Sequence, residues 1–306
     1  MGLSTGELAV RVLRQQRAAM ETELQRALVV YKSPLEGSPR HGDVRWIEGV
    51  GADRVEGLTG VLNMGLCEIA ELFRVVEEYI KALELLLQQD ELLPIPMMSI
   101  VRSVQEGLLE VCWATDPSAA PPLRAARSAA LLVRTVQGNV SPLKWFPGSD
   151  AKLAEVWEAV KGAQTLLSGL GFEFRFDKAE KLVTSLTYGD GGRAAVKVNI
   201  TEAATRYMPG SERIWEVGSG ATHSRNWFTG GLDGPADSIY IMAVTPIFDF
   251  ADAVVDSIHG YVGLSTDAFH SKTHFRRVAL LRRDPRQASA VGQASYADYA
   301  AARLAE

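Results

Sequence analysis

The stretch Met97–Asp116, MMSIVRSVQEGLLEVCWATD, constrains what this chain folds into more than any other. Pro94 and Pro96 precede it and Asp116-Pro117 closes it, the punctuation of a helix about five turns long. Helical spacing places Ile100, Val104, Leu108 and Val111 on one face, the stripe that a helix buries. The opposite face is not the usual solvated one. Arg102 and Glu106 sit there four residues apart, with Leu109 and Trp113 beside them. Ser103, Gly107 and Ala114 form a third stripe, small enough for another backbone to come close. A helix apolar on every side belongs inside a bundle, so Arg102 and Glu106 become candidates for a buried polar site.

The rest of the chain supplies the other helices of such a bundle. Thr5–Tyr31 is amphipathic, with Leu8, Val12, Leu13, Met20, Leu24 and Leu28 inward and Arg11, Arg14 and Arg17 as a solvated basic edge. Residues 33–51 are rich in Pro and Gly and read as a loop. Ala52–Asp90 is the longest periodic segment, its first half weakened by Gly57, Gly60 and Gly65, which mark close packing or a break near residue 60. Further helices are expected over 123–138 and 150–169, the latter turning Leu153, Val156, Trp157, Val160 and Leu166 inward. At residue 172 the period changes to two: Phe172, Phe174 and Phe176 alternate with Glu173 and Arg175. Two β-branched runs, 182–188 and 193–200, then flank Gly189-Asp190-Gly191-Gly192, a hairpin signal. Asn199-Ile-Thr-Glu202 starts a helix through Tyr207. Residues 211–229 carry a small-residue turn before His223, and 236–261 is strongly apolar around Pro246. The expectation is a mainly α protein, a helical bundle with a small β-hairpin insertion at about 172–200. It divides into an N-terminal helix and loop (1–50), the bundle core (51–265) and a basic C-terminal helix and tail (266–306).

Several function classes are disfavoured outright. The net charge of −5 gives no global field for nucleic acid or acidic membranes, although local basic patches remain. No uninterrupted apolar run approaches the roughly 18 residues of a membrane span. Cys67 and Cys112, both on apolar-rich helices, read as buried thiols of a reducing cytoplasm. A dinucleotide fingerprint, a phosphate loop, a Gly-x-Ser-x-Gly elbow and a Cys-x-x-Cys pair are all missing, so no nucleotide cofactor is assigned.

Arg102-x-x-x-Glu106 on a helix ending in Trp113-Ala-Thr-Asp-Pro117 resembles a family of bacterial helical proteins common in actinobacteria, themselves similar to the HEPN superfamily and to AbiV-type abortive-infection proteins. A second signature of that family, a Tyr followed by a small-residue helical turn and a His, is matched by Tyr207 and Gly218-Ser-Gly-Ala-Thr-His223. The resemblance spans roughly residues 55–262. It implies an all-α fold and a role in defence or stress response through RNA or a nucleotide. HEPN ribonucleases carry an Arg, then four to six intervening residues, then a His, and no His in this chain has an Arg at that spacing. The implied role is therefore binding without the usual cleavage.

Three clusters are candidates for chemistry. In the first, Glu106, His223 and Tyr207 form a catalytic set, with Arg102, Arg225 and Asn226 as ligand or phosphate contacts. Glu106 would orient or deprotonate His223 as general base, and Arg102 would hold a phosphate or carboxylate by its fork. The blander and stronger reading of the same residues is a buried network that fixes helix register, and a surface pair is disfavoured by the Arg-before-Glu order. If the site is catalytic, the competing class is a small-molecule enzyme of specialised metabolism with a Glu106/His223 acid–base pair in an inter-helix pocket. The second cluster, Asp267, His270 and His274, shares a helix face and is a weak metal candidate. The third, Lys272, Arg276, Arg277, Arg282, Arg283 and Arg286, is a charged helix side that could touch phosphates. RNA or a small molecule is the expected partner, a membrane is not, and a homo-oligomer is compatible with all of these readings.

Overall fold

The computed structural model describes residues 3–222 and 236–283. The fold is mainly α with one small antiparallel sheet. In chain order the helices are α1 (Thr5–Lys32), α2 (Pro39–Val50), α3 (Ala52–Leu86), α4 (Pro94–Thr115), α5 (Pro121–Gly138), the single turn α6 (Val140–Leu143) and α7 (Asp150–Gly169). Strands β1 (Phe172–Phe176), β2 (Val183–Tyr188) and β3 (Arg193–Ala195) follow. Helices α8 (Ile200–Tyr207), α9 (Glu212–Thr222), α10 (Ala236–Val262) and α11 (Asp267–Leu281) complete the described chain.

Helix α4 is the axis of the larger core. Met97, Met98, Val101, Val104, Leu108 and Leu109 are fully buried on different sides of it. Around it pack α3, α9 and α10, with α1 and α11 closing against α10. Helix α1 begins with a reciprocal cap: the Glu7 N–H donates to Ser4 Oγ (3.2 Å) and the Ser4 N–H donates to Glu7 Oε2 (2.7 Å). Helix α10 is long and apolar enough to cross a membrane by composition, yet most of it is buried inside the bundle, as the core helix of a folded domain would be. It continues through Pro246.

A second, smaller core lies at the other end of α3. Leu58, Val61 and Leu62 of α3 pack there with Ala125, Ala126, Ala129 and Ala130 of α5, Leu167 of α7 and the inner face of the sheet. The sheet order is β1-β2-β3, both pairs antiparallel, with Phe174 opposite Leu186 and Leu186 opposite Ala194. Gly65 sits where α3 passes α5; a Cβ there would lie 2.5 Å from Ser128 Oγ and 3.0 Å from its Cα. Gly57, where an added Cβ would collide with the Leu170 side chain, and Gly65 thus serve close packing. A Cβ at Gly60 would meet nothing within 4 Å, and the helix is unbroken at residue 60.

Some local expectations are corrected. Residues 39–50 form a helix: Ser38 accepts the His41 N–H (3.1 Å), Pro39 occupies the first turn, and Asp43 and Ile47 are buried. Gly and Pro in this stretch masked a start signal that a Ser-Pro pair supplies. In α7 the buried side chains are Val160 and Leu167, while Leu166 is 53% exposed. Cys67 is exposed and only Cys112 is buried.

Candidate functional site at the α4–α9 seam

Helix α9 lies against the N-terminal half of α4 because it offers no side chain at Gly218. A Cβ there would stand 2.6 Å from Arg102 Cβ and 3.1 Å from the Met98 carbonyl oxygen. The small-residue turn of α9 thus packs on α4. Gly107 is not part of this contact; it faces Val76 of α3. At its start α9 is fixed by buried Gln105, whose Nε2 donates to Ser211 O (3.0 Å) and Ser211 Oγ (2.9 Å).

On this seam Arg102 Nε donates to Glu106 Oε1 at 2.8 Å, and Trp215 Nε1 of α9 donates to the same oxygen at 3.0 Å. The Arg102 guanidinium lies 5.0 Å from the Trp215 ring centre, in cation–π range. Arg preceding Glu by four residues is the weaker order for a helical ion pair. Here the carboxylate is held by a third group from another helix, which the sequence pair alone did not show. Both charged side chains are only half-buried, at 18% and 35% exposure. Two atoms of this patch are out of solvent without a hydrogen-bond partner among the described residues: Arg102 Nη1 and Gln105 Oε1. An unsatisfied buried polar group costs about 1–3 kcal/mol, more when charged, so both atoms are places where a further hydrogen-bond partner would be favourable.

Tyr207 does not join them. Its hydroxyl donates to Asp116 Oδ2 at 2.9 Å, an oxygen that also takes Arg206 Nη2 (2.7 Å) and Arg127 Nη1 (3.2 Å). Asp116 Oδ1 accepts the Ser118 N–H (2.9 Å) and Oγ (2.6 Å). This hub is ten residues beyond Glu106, or about 15 Å along the helix. Burial works against the Asp116 charge, but the donors from Ser118, Tyr207 and Arg127 outweigh it and hold its pKa below the ordinary value. Burial pushes the Tyr207 hydroxyl up to about 12, with Asp116 adding to the rise, which suits a structural donor and not a base at neutral pH. His223, Arg225 and Asn226 lie outside the described residues.

The metal candidate is dismantled by its neighbours. The Asp267 carboxylate accepts from Ser265 Oγ at 2.9 Å. His270 spans two carboxylates of α10, Nδ1 to Asp252 Oδ1 (3.0 Å) and Nε2 to Asp256 Oδ1 (2.5 Å). Burial alone would lower the His270 pKa; these two hydrogen bonds overcome it and raise it to about 9. An imidazolium with both nitrogens donating cannot ligate a metal. Among the described residues no group of three His, Cys, Asp or Glu is placed to hold a metal ion. In the basic cluster on the same helix, Arg277 Nη2 bridges Asp249 and Asp252 (both 2.8 Å) and Arg276 Nη1 donates to buried Gln16 (2.7 Å). Lys272, Arg282 and Arg283 are exposed, and Arg286 lies outside the described residues.

Two features escaped the sequence reading. One is Trp215 as the third member of the Arg102 patch. The other is a buried lock in which Arg124 of α5 holds Asp43 of α2 (Nη2 to Oδ1, 2.7 Å) while Tyr261 of α10 donates to Asp43 Oδ2 (2.7 Å). Arginines on the alanine-rich buried face of α5 were the available signal for it. A groove of about 870 Å³ also opens between the start of α1, the turn after α3 and Tyr240 of α10, lined by Glu7, Arg11, Arg14 and Gln88. Compared with known proteins, the chain matches no family model, and no curated protein and no solved structure is similar to it.

Proposed function

We propose that this chain is a HEPN-like cytoplasmic protein of defence or stress response that binds a phosphate-bearing ligand, RNA or a nucleotide, at the α4–α9 seam. The observation that carries the reading is the Arg102 guanidinium. Its Nε is committed to Glu106, its face lies over the Trp215 indole, and Nη1 is held out of solvent with no partner among the described residues. A guanidinium oriented by a carboxylate and supported by an aromatic ring presents its remaining donors in the fork that suits phosphate oxygens. Glu106 acts in this reading as a positioning residue, because Oε1 already takes two donors. That commitment favours binding over the acid–base role that a small-molecule enzyme would ask of Glu106 with His223.

Fluorescence-anisotropy titrations of a short single-stranded RNA and of ATP, run at low and moderate salt, test it. Binding should weaken as salt rises, be lost in Arg102→Ala and fall sharply in Arg102→Lys, which keeps the charge but not the fork. No binding of either probe at low salt, or equal binding by Arg102→Ala, would overturn the proposal.

A further inference from the structure

Strand β1 reads Phe172-Glu173-Phe174-Arg175-Phe176 and is an edge strand: among the described residues it pairs only with β2. Which of its backbone groups face outward follows from the ladder. The Val196 N–H donates to Thr184 O, so Thr184 turns its peptide groups toward β3. Ser185 and Thr187 then turn theirs toward β1, and the residues opposite them, Arg175 and Glu173, point into the sheet. Phe172, Phe174 and Phe176 therefore present their N–H and C=O groups along the free edge. Side chains divide the other way. Phe172 is buried against Tyr188, Phe174 is half-buried and Phe176 is 43% exposed, while Glu173 and Arg175 are exposed on the opposite face. Neither of these two charges has an ion-pair partner among the described residues, although most other charged groups on the helices do.

From this we infer that β1 is a self-association surface whose occupant is β1 of a second copy of this chain, paired antiparallel about a two-fold axis at Phe174. In that register Phe174 meets Phe174 of the second copy and Phe172 meets its Phe176. Both are hydrogen-bonded positions, which uses every outward peptide group of the strand. Glu173 then falls opposite Arg175 of the second copy, and Arg175 opposite its Glu173. These are the non-hydrogen-bonded positions, where facing Cα atoms are only about 4.5 Å apart and opposite charges attract best. Parallel pairing in register would stack Glu on Glu and Arg on Arg. The strand is thus complementary to itself in one orientation, the requirement for a closed isologous contact. The resulting six-stranded sheet would end in the three-residue β3 on both sides, leaving no long edge exposed. Five residues bury little surface, so association is concentration-dependent and weak compared with an obligate dimer. The inference is independent of the ligand proposed for the α4–α9 seam.

Sedimentation velocity of the full chain over a wide concentration range tests it with charge reversals. Glu173→Arg alone and Arg175→Glu alone each place like charges opposite one another and should weaken self-association at least tenfold. Mixing the two single variants in equal amounts should restore a dimer, since each then supplies the charge the other lacks. The double variant E173R/R175E should dimerise like the natural chain. Melting curves of the single variants confirm that the fold is kept, both positions being exposed. A natural chain that stays monomeric throughout, single variants that associate undiminished, or a mixture that stays monomeric would each overturn the inference.

Discussion

The two polar clusters on α4 are ten residues apart and differ in kind. At its C-terminal end Asp116 gathers Arg127, Arg206, Tyr207 and Ser118, and none of the buried polar atoms of that hub lacks a partner among the described residues. In its N-terminal half Arg102 and Gln105 each keep a buried atom without one. A saturated network ties helices together and has no capacity left for a ligand; an unsaturated one tolerates a cost that ligand contacts can offset. Similar chemistry on one helix thus gives a lock at one end and a candidate binding site at the other.

The largest way to break that contrast is Asp116→Ala. It leaves Arg127 buried beside no carboxylate and should cost about 3–5 kcal/mol in denaturant unfolding. Because the folded Asp116 titrates below its ordinary value, its contribution is complete above about pH 4 and disappears as pH falls through the folded pKa; Asp116→Asn should flatten the acid side of the stability curve. Gly218→Ala comes next. The added methyl collides with Arg102 and the Met98 carbonyl, so α9 must shift at a cost of roughly 1–3 kcal/mol, with ligand binding lost in parallel. Arg102→Ala should move stability by no more than about 1 kcal/mol, since the half-exposed ion pair it removes contributes little, while abolishing binding. That split between folding and binding separates the two ends of α4 most sharply. Least affected is Trp215→Phe, which deletes one hydrogen bond to Glu106, worth about 0.5–1.5 kcal/mol, and leaves a ring beneath the guanidinium.

A separate test lies on α11. His270 titrates near 9 in the folded chain against an ordinary 6.5. Its contribution to stability is therefore fully present below pH 6.5 and lost as pH rises through 9. His270→Gln should remove that alkaline slope in thermal melts without changing the neutral-pH fold.

Much of this architecture was legible in the sequence, because apolar periodicity records burial directly. The long helices, the switch to period two at Phe172 and the Asn199 cap all followed from spacing. Arg102 and Glu106 were recognisable as charges on a face that should be apolar. What spacing cannot carry is which helix supplies the third partner. Trp215 lies more than a hundred residues from Glu106, and Tyr207 could be assigned to Glu106 or Asp116 only once α8 was placed. The His270 site shows the same limit: helical phase grouped it with Asp267 and His274, but the carboxylates that determine its protonation belong to α10.

Helix α3 carries both cores on one rod. Its N-terminal half, from a glycine cap with no side-chain hydrogen bond through Gly57 and Gly60, serves the smaller core, and Ile69–Leu83 serves the larger. Helices release their amides from weakly held ends before strongly held middles. Deuterium uptake along α3 should therefore change in a step near Gly65, fast on the side of the sheet and slow on the side of α4. A single helix would then report two local stabilities, and the sheet end could breathe while the seam on α4 stays closed.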